Sequence, residues 1–219
     1  MIELKLINKS YGNQKILDKI SLNIKKGEFI SIVGPSGAGK TTLLNIIGTI
    51  EDFDKSEKSK FLINSQDITK LSDKNLSKFR NDNIGFVFQF HQLLPELTVE
   101  ENILLPTMIK GDEKDSSDKY FIELISILGI DSILNKYPNS ISGGERQRTA
   151  VARAMINKPG ILFADEPTGN LDSKNEEEII SLFKKVNQGL GVTIVLVTHN
   201  HNFSKLADKC FSLKDGKWS

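Results

Sequence analysis

The residues best able to do chemistry lie between positions 28 and 47, where the sequence reads EFISIVGPSGAGKTTLLNII. The spacing G-x-x-x-x-G-K-[ST] is met there by Gly34, Gly39, Lys40 and Thr41. This spacing lets the chain turn sharply and aim successive backbone N–H groups into one concavity that suits an anion. Lys40 can reach the β- and γ-phosphates of a nucleotide, and the Thr41 hydroxyl can hold Mg²⁺. We therefore interpret the segment as a nucleotide-binding loop.

Two elements must flank this loop if it is to hold a phosphate. The strand before it is indicated by a dense apolar run typical of burial on both faces of a parallel sheet, Phe29, Ile30, Ile32 and Val33. The helix after it is indicated by Leu43, Leu44, Ile46 and Ile47. The free N–H groups and positive dipole end of that helix would add to the anion cradle. This order argues against the alternative, a plain glycine-rich turn.

Two carboxylates follow a second apolar run, ILFAD at 161–165. Asp165 at the end of a buried strand is placed to hold Mg²⁺ opposite a phosphate loop. Glu166 is placed to orient or deprotonate a water molecule for attack on the γ-phosphate. The alternative, a strand that ends in two solvent-facing acids, is disfavoured by the phosphate loop upstream.

Two more polar residues end apolar runs and are predicted to lie at the same edge of the sheet. His199 follows the run at 192–198 and can donate a hydrogen bond to the γ-phosphate, although a lone histidine is more often structural. Gln89 follows IGFVF at 84–88 and can contact Mg²⁺ or the attacking water. By itself a glutamine at a strand end is usually a surface residue.

Residues 90–157 are predicted to form an inserted helical subdomain, with helical patterns at about 100–110, 117–128 and 144–157. Its first part is an apolar loop that contains Leu93, Leu94, Leu97 and Val99. Exposed apolar residues beside a nucleotide site favour a docking surface, but packing of the loop on its own domain has equal weight. The helix that follows GDEKDSSDK is expected to be capped by Asp115 or Ser116.

The segment ISGGERQR at 141–148 opens the last of these helices and predicts a second phosphate site. Gly143 and Gly144 weaken a helix interior, so they belong at its entrance, where a ligand can approach the backbone closely. One γ-phosphate cannot easily use both sites of one chain. This second site is therefore expected to serve the nucleotide of another copy.

Composition excludes several classes of protein. With 29 basic and 28 acidic residues the net charge is +1, so we expect neither a nucleic-acid partner nor polybasic membrane attachment. No apolar run approaches the roughly 18 residues of a transmembrane helix, and no signal peptide is recognisable, so a cytosolic protein is expected. The one cysteine, Cys210, is expected to be a small buried side chain.

These motifs together resemble those of the ATP-binding cassette (ABC) ATPases. The phosphate loop, Gln89, ISGGERQR, ILFADEP, GNLD and His199 occur in that family's order and approximate spacing, across essentially the whole chain. The segments GERQR, ADEPTGNLD and FQFHQLLPELT are similar to the branch that includes lipoprotein-releasing and macrolide-export ATPases and their cell-division relative. Ile141 and Glu145 depart from the usual signature, and residues 54–66 lack the glycines that usually form turns there.

The resemblance implies an α/β fold, namely a P-loop NTPase core with a mostly parallel sheet, N-terminal antiparallel β strands and an inserted helical subdomain. The chain would be a single domain over 1–219, with 1–89 and 158–219 as the nucleotide-binding core and 90–157 as the helical subdomain. It would bind and hydrolyse ATP with Mg²⁺, at the inner face of the cell membrane. A separate transmembrane permease would dock near residues 90–106, and the branch implies export or extrusion of a lipoprotein or other substrate.

The resemblance also implies a head-to-tail homodimer that buries two ATP molecules. One subunit would supply the catalytic residues Glu166, His199 and Gln89, the metal ligands Thr41, Gln89 and Asp165, and the loop residues Gly34, Pro35, Ser36, Gly37, Ala38, Gly39, Lys40, Thr41 and Thr42. The other would supply Ser142, Gly143 and Gly144, with Asp172 coupling the two sites. Tyr11, which local sequence favours as a packing residue, would stack on adenine. Two alternatives are a regulator of a membrane cell-division complex and a soluble ABC ATPase.

Overall fold

The chain folds as an α/β protein built on two sheets, as a computed structural model describes it for residues 1–112, 115–169, 173–199 and 204–219. The first sheet has four antiparallel strands in the order β2-β1-β4-β5. They are β1 (Ile2–Tyr11), β2 (Gln14–Ile24), β4 (Lys60–Ile63) and β5 (Gln66–Asp67). The predicted antiparallel start of the chain is thus confirmed.

The second sheet has six strands in the order β10-β9-β3-β8-β7-β6. All neighbouring pairs in it are parallel except β9 with β10 at the edge. Its strands are β3 (Phe29–Val33), β6 (Ile84–Val87), β7 (Ile161–Asp165), β8 (Thr193–Val197), β9 (Lys209–Lys214) and β10 (Lys217–Trp218). Because parallel strands end at the same edge, the polar residues that follow β3, β6, β7 and β8 are collected there.

Six helices occur in the described residues, and they include the three predicted between 99 and 155. They are α1 (Lys40–Ile47), α2 (Asp73–Asn83), α3 (Val99–Lys110), α4 (Lys119–Leu128), α5 (Gly143–Met155) and α6 (Ser173–Leu190). Short 3₁₀ turns lie at Ile68–Lys70, Asp131–Ile133 and Pro138–Ser140. Among the described residues, no helix has the length and apolar character needed to cross a membrane.

The parallel sheet is buried on both faces, which explains its uninterrupted apolar strands. Alternate residues of β7 enter different cores: Ile161 and Phe163 pack with α1 and the first sheet, whereas Leu162 and Ala164 pack on the helical side. The helix that follows the phosphate loop is therefore held against the sheet, with Leu43, Leu44, Ile46 and Ile47 all fully buried. This packing fixes the start of α1 relative to the ends of the neighbouring strands.

Three local details differ from the sequence-based expectations or complete them. The N-cap of α4 is Asp118, not Asp115 or Ser116, because the Asp118 carboxylate accepts from the N–H groups of residues 120 and 121. Cys210 is exposed rather than buried, since Phe211 and Leu213 are the core-facing partners in the alternation of β9. The β4–β5 turn places Asn64 and Ser65 at positive φ (51° and 65°), so no glycine is needed.

Candidate functional site

The phosphate loop has the close backbone approach that its glycines permit. A Cβ on Gly34 would lie 2.1 Å from the carbonyl oxygen of Leu213, so only glycine fits there. Gly39 has φ 95° and precedes the first helical residue, Lys40. The buried Lys40 ammonium donates to the carbonyl oxygens of Gly34 (2.9 Å) and Pro35 (3.1 Å). The Lys40 ammonium thus lies over the loop, where it can exchange these carbonyl acceptors for a phosphate oxygen.

Thr41 and Asp165 meet across the junction of α1 and β7. The Thr41 hydroxyl donates to the Asp165 carboxylate at 3.3 Å, although the two residues are far apart in sequence. Burial, and to a smaller extent the nearby Glu166 charge, raise the pKa of the Asp165 carboxyl. A hydroxyl and a partly desolvated carboxylate beside the phosphate loop are the hard oxygen ligands that Mg²⁺ prefers. The chemistry of this donor set fits that cation.

Glu166 and His199 form a pair at the ends of β7 and β8. The imidazole Nδ1 lies 2.7 Å from Glu166 Oε2, and the Glu166 backbone N–H donates to the Val197 carbonyl at 2.9 Å. Glu166 has φ 45°, a left-handed conformation that is uncommon for a non-glycine residue and concentrates at functional sites. The carboxylate is thereby directed to the strand edge next to Asp165.

Gln89 lies beside the segment that follows Glu166. A Cβ on Gly169 would lie 3.0 Å from the Gln89 Nε2, and the Gly169 N–H donates to the Glu166 carbonyl at 3.0 Å. The structure therefore brings together Lys40, Thr41, Gln89, Asp165, Glu166 and His199 at one edge of the sheet. These six predicted residues come from the ends of three parallel strands, β6, β7 and β8, and from the start of α1, the helix that follows β3.

The ISGGERQR segment forms the beginning of α5, as its glycines predicted. Ser142 is the N-cap and exchanges hydrogen bonds with Glu145: the Ser142 N–H donates at 2.7 Å and its hydroxyl accepts at 3.3 Å. Arg146 reaches back to the carbonyl oxygens of Pro138 and Ile141. Gly143 and Gly144 occupy the first helical turn. Ser142 thus closes its own helix end, and the N–H groups beside it form an anion-compatible surface.

Tyr11, the residue predicted to stack on adenine, lies on the first sheet. Tyr11 ends β1 with a half-exposed ring, and its hydroxyl donates to Glu51. The remaining loop residues, Ser36, Gly37, Ala38 and Thr42, lie where the motif places them, between β3 and the first turn of α1. Asp172 lies outside the described residues.

Sequence reasoning missed Arg153, which organises the loop after Gln89. Its guanidinium donates to the carbonyl oxygens of His91 (2.6 Å) and Gln92 (2.7 Å), whose φ angles are 57° and 50°. Burial lowers the pKa of His91, and Arg146 and Arg153 lower it further. An arginine on α5 carries no local sign that it will meet a loop about sixty residues earlier. Only the packing of α5 on that loop reveals the contact.

The family follows from comparison with known proteins. The family model described as "ABC transporter" matches residues 17–169. The chain belongs to the ABC transporter family. The lipoprotein-releasing system ATP-binding protein LolD of Bacteroides thetaiotaomicron is 46% identical over 216 residues, which are 99% of this chain and 98% of that protein. The bacitracin export ATP-binding protein BceA of Halalkalibacterium halodurans is 43% identical over 221 residues, 99% of this chain and 86% of that one.

Solved structures agree with this assignment. The dimeric structure of the ABC transporter cassette MJ0796 superposes with a TM-score of 0.89 at 42% identity, over 100% of this chain and 97% of that chain. A dimeric post-hydrolysis state of the same cassette, bound to ADP and Pi, gives 0.88 at 40% identity and the same coverage. MJ0796 comes from Methanocaldococcus jannaschii. The protein is thus an ATP-binding and ATP-hydrolysing ABC subunit, and both the predicted fold and the predicted ATPase activity are confirmed.

Proposed function

We propose that this ABC ATPase works as a homodimer at the inner face of the cell membrane and drives a separate permease that extrudes a lipoprotein or similar cargo. Support comes from the functions that the relatives' names give, lipoprotein release for LolD and bacitracin export for BceA. It comes also from the dimeric assembly of the MJ0796 cassette. The chain would act as one domain, with residues 1–89 and 158–219 as the nucleotide-binding core and 90–157 as the helical subdomain.

In the proposed reaction each nucleotide site uses residues of both copies. Lys40 would move from the loop carbonyls to the β- and γ-phosphates. Thr41, Asp165 and Gln89 would hold Mg²⁺, which neutralises phosphate charge when bound. Glu166 would accept a proton from the attacking water, and His199 would orient the Glu166 carboxylate and the γ-phosphate. The 2.7 Å contact between the Glu166 and His199 side chains supports this pairing.

The partner copy would close the site with the start of its α5. Ser142, Gly143 and Gly144 present a capped helix N-terminus, whose N–H groups and positive dipole end favour a γ-phosphate. Asp172 would couple the two sites across the interface. Nucleotide-driven closure of the dimer would then be transmitted to the permease.

A groove in the helical region carries the proposal of a permease partner. It encloses about 520 Å³ between α2, β6, α3 and α5. Its apolar lining comprises Ile50, Ile84, Phe86, Phe88, Leu105 and Ile109, and its basic lining comprises Arg80 and Arg153. Ile109 is 73% exposed, as is Phe90 nearby in the chain. This arrangement fits a short amphipathic helix laid into an apolar groove.

The groove refines the predicted docking region of residues 90–106. Within that stretch, Leu93 and Leu97 are half-buried, and Asn102 fastens the loop by hydrogen bonds to Leu94 and Leu97. The loop therefore packs partly on its own domain. The exposed Met108 and Ile109 lie at the C-terminal end of α3, and α2 contributes to the groove lining, so the proposed docking surface extends to residue 109 and includes α2.

The experiment that tests this proposal is affinity capture of a tagged Glu166→Gln chain from gently solubilised native membranes with ATP and Mg²⁺. Three versions are compared: the parent, Ile109→Glu in the groove, and Ile122→Glu as matched control. Ile122 is a 49% exposed isoleucine on α4 that does not line the groove. A charged side chain that is buried in an apolar contact loses its hydration, and this cost weakens docking.

We expect a polytopic permease with the parent and with Ile122→Glu, and a loss of at least about 10-fold with Ile109→Glu, from the cost of burying a charge in place of an apolar side chain. In chains that keep Glu166, the basal ATPase rate of Ile109→Glu should equal that of Ile122→Glu. Equal capture by all three versions would reject the groove. Recovery of a cell-division protein or ribosomes instead of a permease would reject the transport role while leaving the ATPase intact.

A further inference from the structure

The surroundings of Tyr11 form a small charged cluster that no nucleotide-binding motif accounts for. The Tyr11 hydroxyl donates to the Glu51 carboxylate, and the Lys9 ammonium pairs with the same Glu51 oxygen at 2.8 Å. The Lys9 Nζ also lies over the Tyr11 ring, 5.0 Å from its centroid. A third bond from Lys9 Nζ, 2.6 Å long, reaches the Asp52 carbonyl.

This cluster is partly shielded from solvent. The Lys9 and Glu51 side chains are only 13% and 22% exposed, whereas Tyr11 is 50% exposed. Partial burial reduces the screening that makes exposed ion pairs weak. The hydrogen bond to Glu51 also raises the pKa of Tyr11, against a smaller lowering by Thr42. The ring is thus held at both its hydroxyl and its face.

The cluster also joins two parts of the molecule that must act on one nucleotide. Lys9 and Tyr11 lie on β1 of the antiparallel sheet, while Glu51 follows α1, the helix of the phosphate loop. The same connection is reinforced by the Asp54 N–H, which donates to the Asn8 carbonyl at 2.9 Å. A link of this kind ties the tyrosine of β1 to the helix that follows the phosphate loop.

We propose that Lys9 and Glu51 are positioning residues that prepare Tyr11 for the base: Lys9 covers one face of the ring and Glu51 fixes its hydroxyl, which leaves the other face open to adenine. The inference rests on the proposed stacking role of Tyr11. A cation attracted to one face of the ring and a base on the other are compatible, because both use the π-surface. A side chain fixed beforehand loses less freedom when the nucleotide binds.

The test compares the Kd of ATP with that of inorganic tripolyphosphate, which has phosphates but no base, by calorimetry on the full chain. The variants are Lys9→Met, Glu51→Met and Tyr11→Ala, each positioning variant also in the Tyr11→Ala background. The control is Lys5→Met, which removes the same charge from an exposed residue of β1. Thermal melts establish that each chain is folded, and if one positioning variant fails to fold, the other decides.

We expect Tyr11→Ala to weaken ATP binding by about 10-fold or more, as the loss of a base–aromatic stack does. Lys9→Met and Glu51→Met should weaken ATP binding about 3- to 10-fold, because the Tyr11 side chain must then be ordered when the nucleotide binds. None should change tripolyphosphate binding, and neither positioning change should matter in the Tyr11→Ala background. Lys5→Met should bind ATP as the parent does.

Two failures are distinguishable. If Tyr11→Ala weakens ATP binding but Lys9→Met and Glu51→Met do not, or if they weaken tripolyphosphate equally, the positioning role is rejected and the stacking of Tyr11 stands. If Tyr11→Ala binds ATP like the parent, the stacking role is rejected, and the positioning role with it. In either case the phosphate-binding role of Lys40 is untouched.

Discussion

At the scale of single residues, Arg153 illustrates how a side chain outside every motif can decide the shape of a site. Its guanidinium donates to two carbonyls, of His91 and Gln92, and both residues hold left-handed backbone conformations. Such conformations carry strain that surrounding contacts must offset. Arg153 also lines the proposed docking groove, so its loss should affect stability and partner binding but not the phosphate loop.

We predict that Arg153→Met lowers the free energy of unfolding by about 2 kcal/mol, because two charge-assisted hydrogen bonds are lost and two carbonyls are left unpaired. Arg148→Met on the same helix is the matched comparison. Arg148 pairs at 3.4 Å with an exposed glutamate, so its replacement should change stability by less than about 1 kcal/mol. Urea titration measures both, and equal losses would show that Arg153 has no special role in the loop.

Residues of the candidate site could be predicted where the chemistry is encoded by short spacings. Lys40 and Thr41 follow from one continuous motif, and Asp165, Glu166 and His199 each end a recognisable apolar run. Lys9, Glu51 and Arg153 could not be predicted, because each meets its partner across about forty to sixty residues of chain. Their positions depend on how sheets and helices pack, which local pattern does not contain.

At the scale of elements, the two capping boxes of the helical region offer a matched pair. α3 begins with Thr98 and Glu101, and α5 begins with Ser142 and Glu145, each with reciprocal hydrogen bonds. The two caps stabilise their helices in the same way. Only Ser142 is proposed to face a nucleotide, so the two caps separate structural from functional effects.

We predict that Thr98→Ala and Ser142→Ala each lower Tm by about 2–4 °C, the usual effect of losing an N-cap in a chain of this size. Only Ser142→Ala should reduce ATP turnover, because Thr98 has no proposed contact with phosphate. Melting curves and a phosphate-release assay on the same samples check this. Equal turnover in the two variants would contradict the proposed role of Ser142.

The pH dependence of this prediction has a defined sign. Hydrogen bonds from the backbone and hydroxyl of Thr98 and Ser142 lower the pKa of Glu101 and Glu145 in the folded chain. A carboxyl whose pKa is lower in the folded chain than in the unfolded chain stabilises the fold at pH values above its pKa in the unfolded chain. This stabilisation is lost as the pH falls through the pKa in the folded chain. The Tm difference between parent and cap variants should therefore shrink below about pH 4, near the unperturbed glutamate pKa.

Elements were predictable to different degrees for physical reasons. β3, β7 and β8 are buried on both faces and give apolar runs that no other element would explain. The cap of α4 could not be chosen, because DSSD at 115–118 contains several acceptors and only packing selects Asp118. Cys210 was misassigned since a single short strand with period-2 alternation leaves open which face meets the core.

At the scale of the whole molecule, the phosphate loop and the ISGGERQR segment lead into helices that pack in two different hydrophobic cores. α1 lies against the first sheet, whereas α5 packs with α3, α4 and α6 in the other core. Two phosphate-binding surfaces built on separate cores suit a site shared between copies, and the structurally similar MJ0796 cassette is dimeric. The sequence indicates both surfaces and predicts that they pair between copies, but that pairing belongs to the assembly, which one chain does not contain.

We predict that Glu166→Gln retains ATP binding, loses turnover by about 100-fold or more, and accumulates a dimer with ATP and Mg²⁺, because the general base is absent while the phosphate contacts remain. Adding Lys40→Ala to that chain should leave it monomeric. Light scattering after size exclusion gives the mass of each. ATP hydrolysis by Glu166→Gln at the parent's rate would contradict the role proposed for Glu166.

A mixing experiment then decides whether the two sites are shared head to tail. In the Glu166→Gln background, one chain carries Lys40→Ala and the other Ser142→Asp, which keeps an N-cap but opposes a γ-phosphate with negative charge. Neither chain alone should dimerise. Mixed, they form one composite site in which the intact Lys40 of one chain faces the intact Ser142 of the other, so a weaker ATP-dependent heterodimer should appear. If each site were built within a single chain, mixing would restore nothing, because every chain would still lack one half.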